Sequence, residues 1–121
     1  MRKQDKDRNG KPEALLWVDV ETTGVDRDLD ELLEVGMRCT SVDATETYGT
    51  LTRLVKPQCL TLDDFTPVSF SMHCDSGLLP ALLDSDPRQV NRKAVVDAIL
   101  EFLDSLAQRF TLVPAGTNVD F

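Results

Sequence analysis

Basic residues are scarce where a long nucleic acid would need them. Beyond the first dozen positions the chain has no block of Lys or Arg, and its formal charge is −8. The electrostatic footprint of a long-duplex binder is therefore missing, and a nucleic-acid substrate would have to be short or gripped through metal ions. Cysteine is sparse as well: Cys39, Cys59 and Cys74 are three in number and far apart, with no C-x-x-C pair. Neither a disulfide framework nor a zinc site follows. The three read as small buried or surface residues of a protein in a reducing cytoplasm. No run of about 18 apolar residues occurs, and the alternating charges of Met1 to Glu13 lead into no apolar core region, so neither a membrane span nor an export signal is expected.

What is present suits one α/β domain, because 121 residues of ordinary apolar content can bury a modest core. Residues 1–13 offer nothing apolar and read as a disordered, charged tail, with folding from Ala14. Leu15-Leu16-Trp17-Val18-Asp19-Val20 is a short run of β-formers that predicts a central strand covered on both faces, ended by Thr22-Thr23-Gly24. From Leu33 to Thr40 apolar and polar residues alternate, which places Leu33, Val35, Met37 and Cys39 on one face and Glu34 on the other. A third strand is expected from Gly49 to Val55, joined to the second by the short polar link Ser41–Thr47 as a hairpin.

After Pro57 the apolar period lengthens to that of a helix. Thr66 before Pro67 is a good helix start, which predicts a helix to Cys74, a break at Asp75-Ser76-Gly77, and a short helical turn over Leu78–Leu83. The best helix runs from about Arg92 to Phe110, with Val95, Ile99, Phe102, Leu103, Leu106 and Phe110 along one face. Thr111–Ala115 then enters the sheet beside the first strand. No repeat and no linker interrupts residues 14–121, so a single unit is expected.

Chemistry concentrates at the end of the first strand. Asp19 and Glu21 are two apart in a strand, so both side chains leave the same face. Two carboxylates ending an apolar strand would be costly to bury uncompensated, and a divalent cation removes that cost; Mg²⁺ and Mn²⁺ favour such oxygen ligands. The plainer reading is a strand running out into a solvated acidic turn. A Ca²⁺ loop is a further alternative, because Asp19, Glu21, Thr23, Gly24 and Asp30 fall at positions 1, 3, 5, 6 and 12 of an EF-hand pattern, although a strand rather than a helix precedes them.

The longer string Leu15-Leu16-Trp17-Val18-Asp19-Val20-Glu21-Thr22-Thr23-Gly24-Val25-Asp26 resembles the first motif of the DEDD 3′→5′ exonuclease superfamily, most closely in its oligoribonuclease form. Leu32-Leu33-Glu34-Val35-Gly36 is similar to that family's second strand, and Met72-His73-Cys74-Asp75-Ser76-Gly77-Leu78 resembles its Met-His-x-x-Ser-Gly-Leu segment. The resemblance implies a ribonuclease H-like α/β fold, a mixed sheet with its first three strands antiparallel and helices flanking it, and makes residues 14–121 part of an exonuclease domain. It implies that Asp19 and Glu21 bind two Mg²⁺ or Mn²⁺ ions in the complete site. It further implies that the Thr22–Thr23 backbone and Gly24 lie against the terminal nucleotide, that Val25 stands where the family carries a Leu wedge, and that His73 lies near that nucleotide. The family's aromatic residue five positions before this histidine is Val68 here.

Asn118 and Phe121 match the second motif, Asn-x-x-Phe-Asp, whose Asp would follow Phe121, while Asp120 falls at a variable position. A third motif with a general-base His has no counterpart, so residues 1–121 alone are expected to be inactive. Glu34 is not assigned to the metal site and reads as solvated or paired with a basic residue. By analogy, the substrate is a short single-stranded RNA, with DNA as the alternative, and the protein is a homodimer. A nuclease-like binding module without catalysis is the alternative from another class.

Overall fold

The computed structural model describes residues 10–24, 30–58 and 60–116. Four strands, β1 (Glu13–Thr22), β2 (Leu32–Thr40), β3 (Thr47–Leu54) and β4 (Thr111–Ala115), form one sheet in the order β3-β2-β1-β4. The first three are antiparallel and β4 runs parallel to β1, with Glu13 opposite Thr111 and Trp17 opposite Ala115. This is the mixed α/β sheet expected. Between β3 and β4 come a 3₁₀ turn (Leu62–Asp64) and helices α1 (Pro67–Asp75), α2 (Leu78–Leu83), α3 (Pro87–Val90) and α4 (Arg92–Ala107). Among the described residues no helix is long and apolar enough to cross a membrane.

The chain divides into two compact units that interleave in sequence: Met1–Asp19 with Gly36–Thr52 and Ala98–Phe121, and Val20–Val35 with Arg53–Asp97. No linker in the sequence separates them, since each unit is assembled from separate stretches of chain. In the first, Ala14, Cys39, Leu106 and Phe110 form the buried cluster, with Tyr48, Phe102 and Leu112 packed against it. Burial pushes the Cys39 thiol up from its ordinary range, partly opposed by Arg109. In the second, Leu33 packs with Leu78, Leu79 and Leu82, flanked by Leu54, Leu60 and Phe65.

Local chemistry explains the helix limits. Thr66 caps α1 by accepting from the Ser69 N–H at 3.1 Å, and Pro67 takes the first turn, where no amide partner is needed. Gly77, at φ 86°, supplies the left-handed residue between α1 and α2. Asn91 accepts from the Ala94 N–H at 3.0 Å and so caps α4. That helix ends at Ala107 rather than at the expected Phe110. The Phe110 N–H still reaches the Leu106 carbonyl at 2.9 Å, but the chain turns there to deliver the Thr111 N–H to the Pro12 carbonyl at 3.0 Å. The Phe110 ring stacks on Tyr48 with centroids 4.4 Å apart.

At the other end, β1 starts at Glu13, and Lys11 Nζ donates to the Ala107 carbonyl at 2.8 Å, so the ordered chain begins before Ala14. Lys11 there complements the negative end of the α4 dipole. Residues 1–9 of the expected tail lie outside the described residues.

Candidate active site

β1 lies between β2 and β4, yet it is not covered on both faces as its apolar run suggests: Trp17 is 37% and Val20 is 42% exposed. The Trp17 indole N–H donates to the Thr40 hydroxyl at 2.9 Å, so its polar edge is satisfied. Strand alternation places Asp19 and Glu21 on one face, Asp19 exposed and Glu21 half-buried. Neither carboxylate has a hydrogen bond or ion pair with another described residue.

Beyond Glu21 the chain is held by α1. Ser69 Oγ donates to the Thr23 carbonyl, the Thr66 N–H reaches the same oxygen at 3.4 Å, and His73 Nε2 lies 2.6 Å from the Thr22 carbonyl. Positions 66, 69 and 73 share one helix face, so a single stripe of α1 grips two successive carbonyls. Thr23 is fully buried. Its N–H donates to the Glu31 carbonyl at 2.9 Å, and its hydroxyl donates to Asp30 Oδ1 at 3.0 Å while accepting from the Glu31 N–H at 2.9 Å. Because the Thr23–Gly24 peptide is trans, a carbonyl aimed at Ser69 turns the Gly24 N–H the other way. That amide has no partner among the described residues. A Cβ on Gly24 would come 2.5 Å from Asp30 Oδ2, which explains glycine at this position. Val25 and Asn118 lie outside the described residues, as do Asp120 and Cys59.

His73 is 1% exposed and edge-on to Phe65 at 6.4 Å. It is a satisfied core residue that also borders a cavity of about 350 Å³, whose wall includes Glu21, Glu34, Leu54, Met72 and Leu78. Glu34, left aside on sequence grounds, is half-buried in this wall. Asp19 borders a separate cavity of about 340 Å³ with Trp17, Arg38 and Thr50. Ser69 was also missed. The available signal was its place three residues after the capping Thr66, which fixes which helix face it shares.

Asp19 and Glu21 offer the hard oxygen donors that Mg²⁺ or Mn²⁺ takes, and neither is engaged by another described residue, so they fit as part of a cation's coordination sphere. Among the described residues no cluster of three or more metal-ligating side chains forms, so the pair supplies only a portion of it. An EF-hand does not fit. Asp19 and Glu21 lie within a strand, and Asp30 is bonded to Thr23 and leads into β2 rather than a helix.

No family model matches the chain. Among curated proteins, an oligoribonuclease of Leifsonia xyli subsp. xyli (strain CTCB07) is 34% identical over 67 residues, 55% of this chain and 32% of its own length. Among solved structures, the nuclease domain of 3′hExo, a DEDDh family member bound to rAMP, matches with a TM-score of 0.60 at 14% identity, over 87% of this chain and 52% of that one. Cell-death related nuclease 4 matches with a TM-score of 0.57 at 17% identity, over 84% of this chain and 34% of that one. The chain thus spans about a third of the curated relative and about half or less of these structures. The fold is that of DEDDh nuclease domains.

Proposed function

We propose that this chain, carrying that fold, forms the Asp-x-Glu part of a metal-dependent 3′→5′ exonuclease site. Its substrates are short single-stranded RNAs, with DNA as the alternative, and its products are nucleoside 5′-monophosphates. The observation that carries this reading is the pair of carboxylates, Asp19 and Glu21, without a partner among the described residues, on one face at the end of β1, with Glu21 opening into a nucleoside-sized cavity beside His73. The partial likeness to an oligoribonuclease over 67 residues supports the substrate class.

In this reading Asp19 and Glu21 hold Mg²⁺ or Mn²⁺, which when bound activates water and stabilises the leaving oxygen of a phosphodiester. The remaining roles belong to the chain itself. The Thr22–Thr23 segment, with Gly24, forms the backbone ledge for the terminal nucleotide, and the Gly24 N–H, without a partner among the described residues, is its donor. His73 fixes that ledge through the Thr22 carbonyl. By the family resemblance alone, Val25 would take the wedge position between the last two bases and Asn118 would be a further substrate-binding residue.

Titration calorimetry with Mn²⁺ tests the reading. Two carboxylates leave most of the coordination sphere to water, so wild type should bind weakly, with Kd on the order of 10⁻³ M. Asp19→Ala and Glu21→Gln should each abolish the signal. Equal binding by wild type and both variants would remove these residues from any metal site, and tight Ca²⁺ binding with indifference to Mn²⁺ would favour a calcium module instead.

A further inference from the structure

We infer that Glu34 reads the ribose of the substrate's terminal nucleotide, accepting a hydrogen bond from its 2′-hydroxyl and favouring RNA over DNA. This rests on the exonuclease reading of Glu21. Glu34 sits on β2 with Leu33 and Val35 turned to the opposite face, where they are 0% and 4% exposed. Its own side chain is half-buried in the wall of the cavity that Glu21 and His73 also border. Neither Glu21 nor Glu34 has a protein partner among the described residues. A carboxylate partly withdrawn from water without a donor gains from any ligand that supplies one.

The chemistry of the cavity limits which donor that is. A phosphate oxygen is not the direct partner of Glu34, because a carboxylate that holds no cation of its own repels it. A cation shared as a third ligand is disfavoured, because Glu21, Glu34 and His73 do not draw together as a metal-ligating cluster. What remains is a neutral hydrogen-bond donor, and position selects among those of a nucleotide. β2 is the immediate neighbour of β1, and Glu34 and Glu21 line the same cavity. A nucleotide whose phosphate were held at Glu21 would present its sugar, the part next to the phosphate, to this shared wall before its base edge. The 2′-hydroxyl is the donor there that RNA has and DNA lacks. At about 350 Å³ the cavity admits a nucleoside.

The test compares binding of AMP and 2′-deoxy-AMP to the 121-residue chain in the presence of Mg²⁺, followed by NMR titration. Wild type should prefer AMP by roughly tenfold, the effect of one hydrogen bond to a charged acceptor. Glu34→Ala should bring the two affinities together by weakening AMP alone. Glu34→Gln, which keeps an acceptor oxygen and nearly the same shape, should fold like wild type by circular dichroism and retain an intermediate preference. Equal affinity for both nucleotides in all three proteins, with binding lost in Asp19→Ala, would overturn the role of Glu34 while leaving the metal site standing. A Glu34→Ala effect that separates CMP from UMP but leaves the ribose preference intact would assign the residue to a base amine and overturn the proposal. Failure of wild type to bind either nucleotide would overturn it together with the exonuclease reading.

Discussion

His73 and Thr22, 51 positions apart, are joined by a contact of 2.6 Å between imidazole Nε2 and a main-chain carbonyl oxygen. A carbonyl can only accept, so this nitrogen carries the proton. The chain's single imidazole therefore anchors the last residue of β1. His73→Ala should lose both the hydrogen bond and the packing of a side chain that is 1% exposed. The expected cost is about 2–4 kcal/mol, read as a lower urea midpoint at unchanged slope. A change below about 0.5 kcal/mol, the range of an ordinary surface substitution, would show that the anchor contributes nothing.

Hydrolysis makes a second expectation. Among the described residues Asp19 and Glu21 form no larger metal-ligating cluster, and His73 is engaged with the Thr22 carbonyl, so release of 5′-mononucleotides from a labelled RNA dinucleotide with Mg²⁺ or Mn²⁺ should stay at background. Processive RNA degradation by this chain alone would contradict this expectation.

Gly24→Ala should displace Asp30, because the new methyl would occupy space 2.5 Å from its Oδ2. Asp30 can swing aside only by giving up the Thr23 hydroxyl, so the expected loss is about 1 kcal/mol or more. Chemical-shift changes should centre on Thr23 and Glu31, whose amides share the network. Thr23→Val in the Gly24→Ala background should then cost less than Thr23→Val alone. Full additivity would show that the two positions are not coupled.

The β2–β3 link carries a pH signature. Asp43 accepts from the Thr45 hydroxyl, the Ser41 hydroxyl and the Thr45 N–H, which together hold its carboxyl down at about 2 from an ordinary 3.8. A carboxylate whose folded pKa is depressed stabilises the turn fully above its unfolded value, and that support fades as pH falls from 3.8 through about 2. NMR titration of the Asp43 side-chain carbon should give a midpoint near the lower value, and Asp43→Asn should abolish the pH response of the Thr45 amide. A midpoint at the ordinary carboxylate value would mean that the hydroxyls do not engage it.

Much of this architecture was legible because its signals are local. Alternation from Leu33 to Cys39 marks β2, the Thr66-Pro67 pair marks the start of α1, and β4 occupies Thr111–Ala115 as read. Segments too short to show a period escaped: the Leu62–Asp64 turn and α3 at Pro87–Val90. Phe110 continues the apolar period of α4 but leaves the helix to stack on Tyr48, a partner 62 positions away (110 − 48) that no window around it contains. The candidate site divides in the same way. Asp19 and Glu21 share a face by strand geometry alone, whereas the cavity at Glu34 is walled by residues of α1 and α2 that only folding brings to it.

The grip of α1 on Thr22 and Thr23 also bears on the order in which this region forms and opens. A nine-residue helix is too short to be stable in isolation, so it persists only while docked. Its contacts with the end of β1 close loops of 46 and 51 positions, the kind of distant pairing that slows folding. Hydrogen exchange should therefore find the amides of α1 and of the Thr23 segment opening as one cooperative group, at a lower free energy than global unfolding. The segment that follows Glu21 would then be governed by a helix encoded well downstream, and substitutions in α1 that touch no carboxylate could loosen or tighten it.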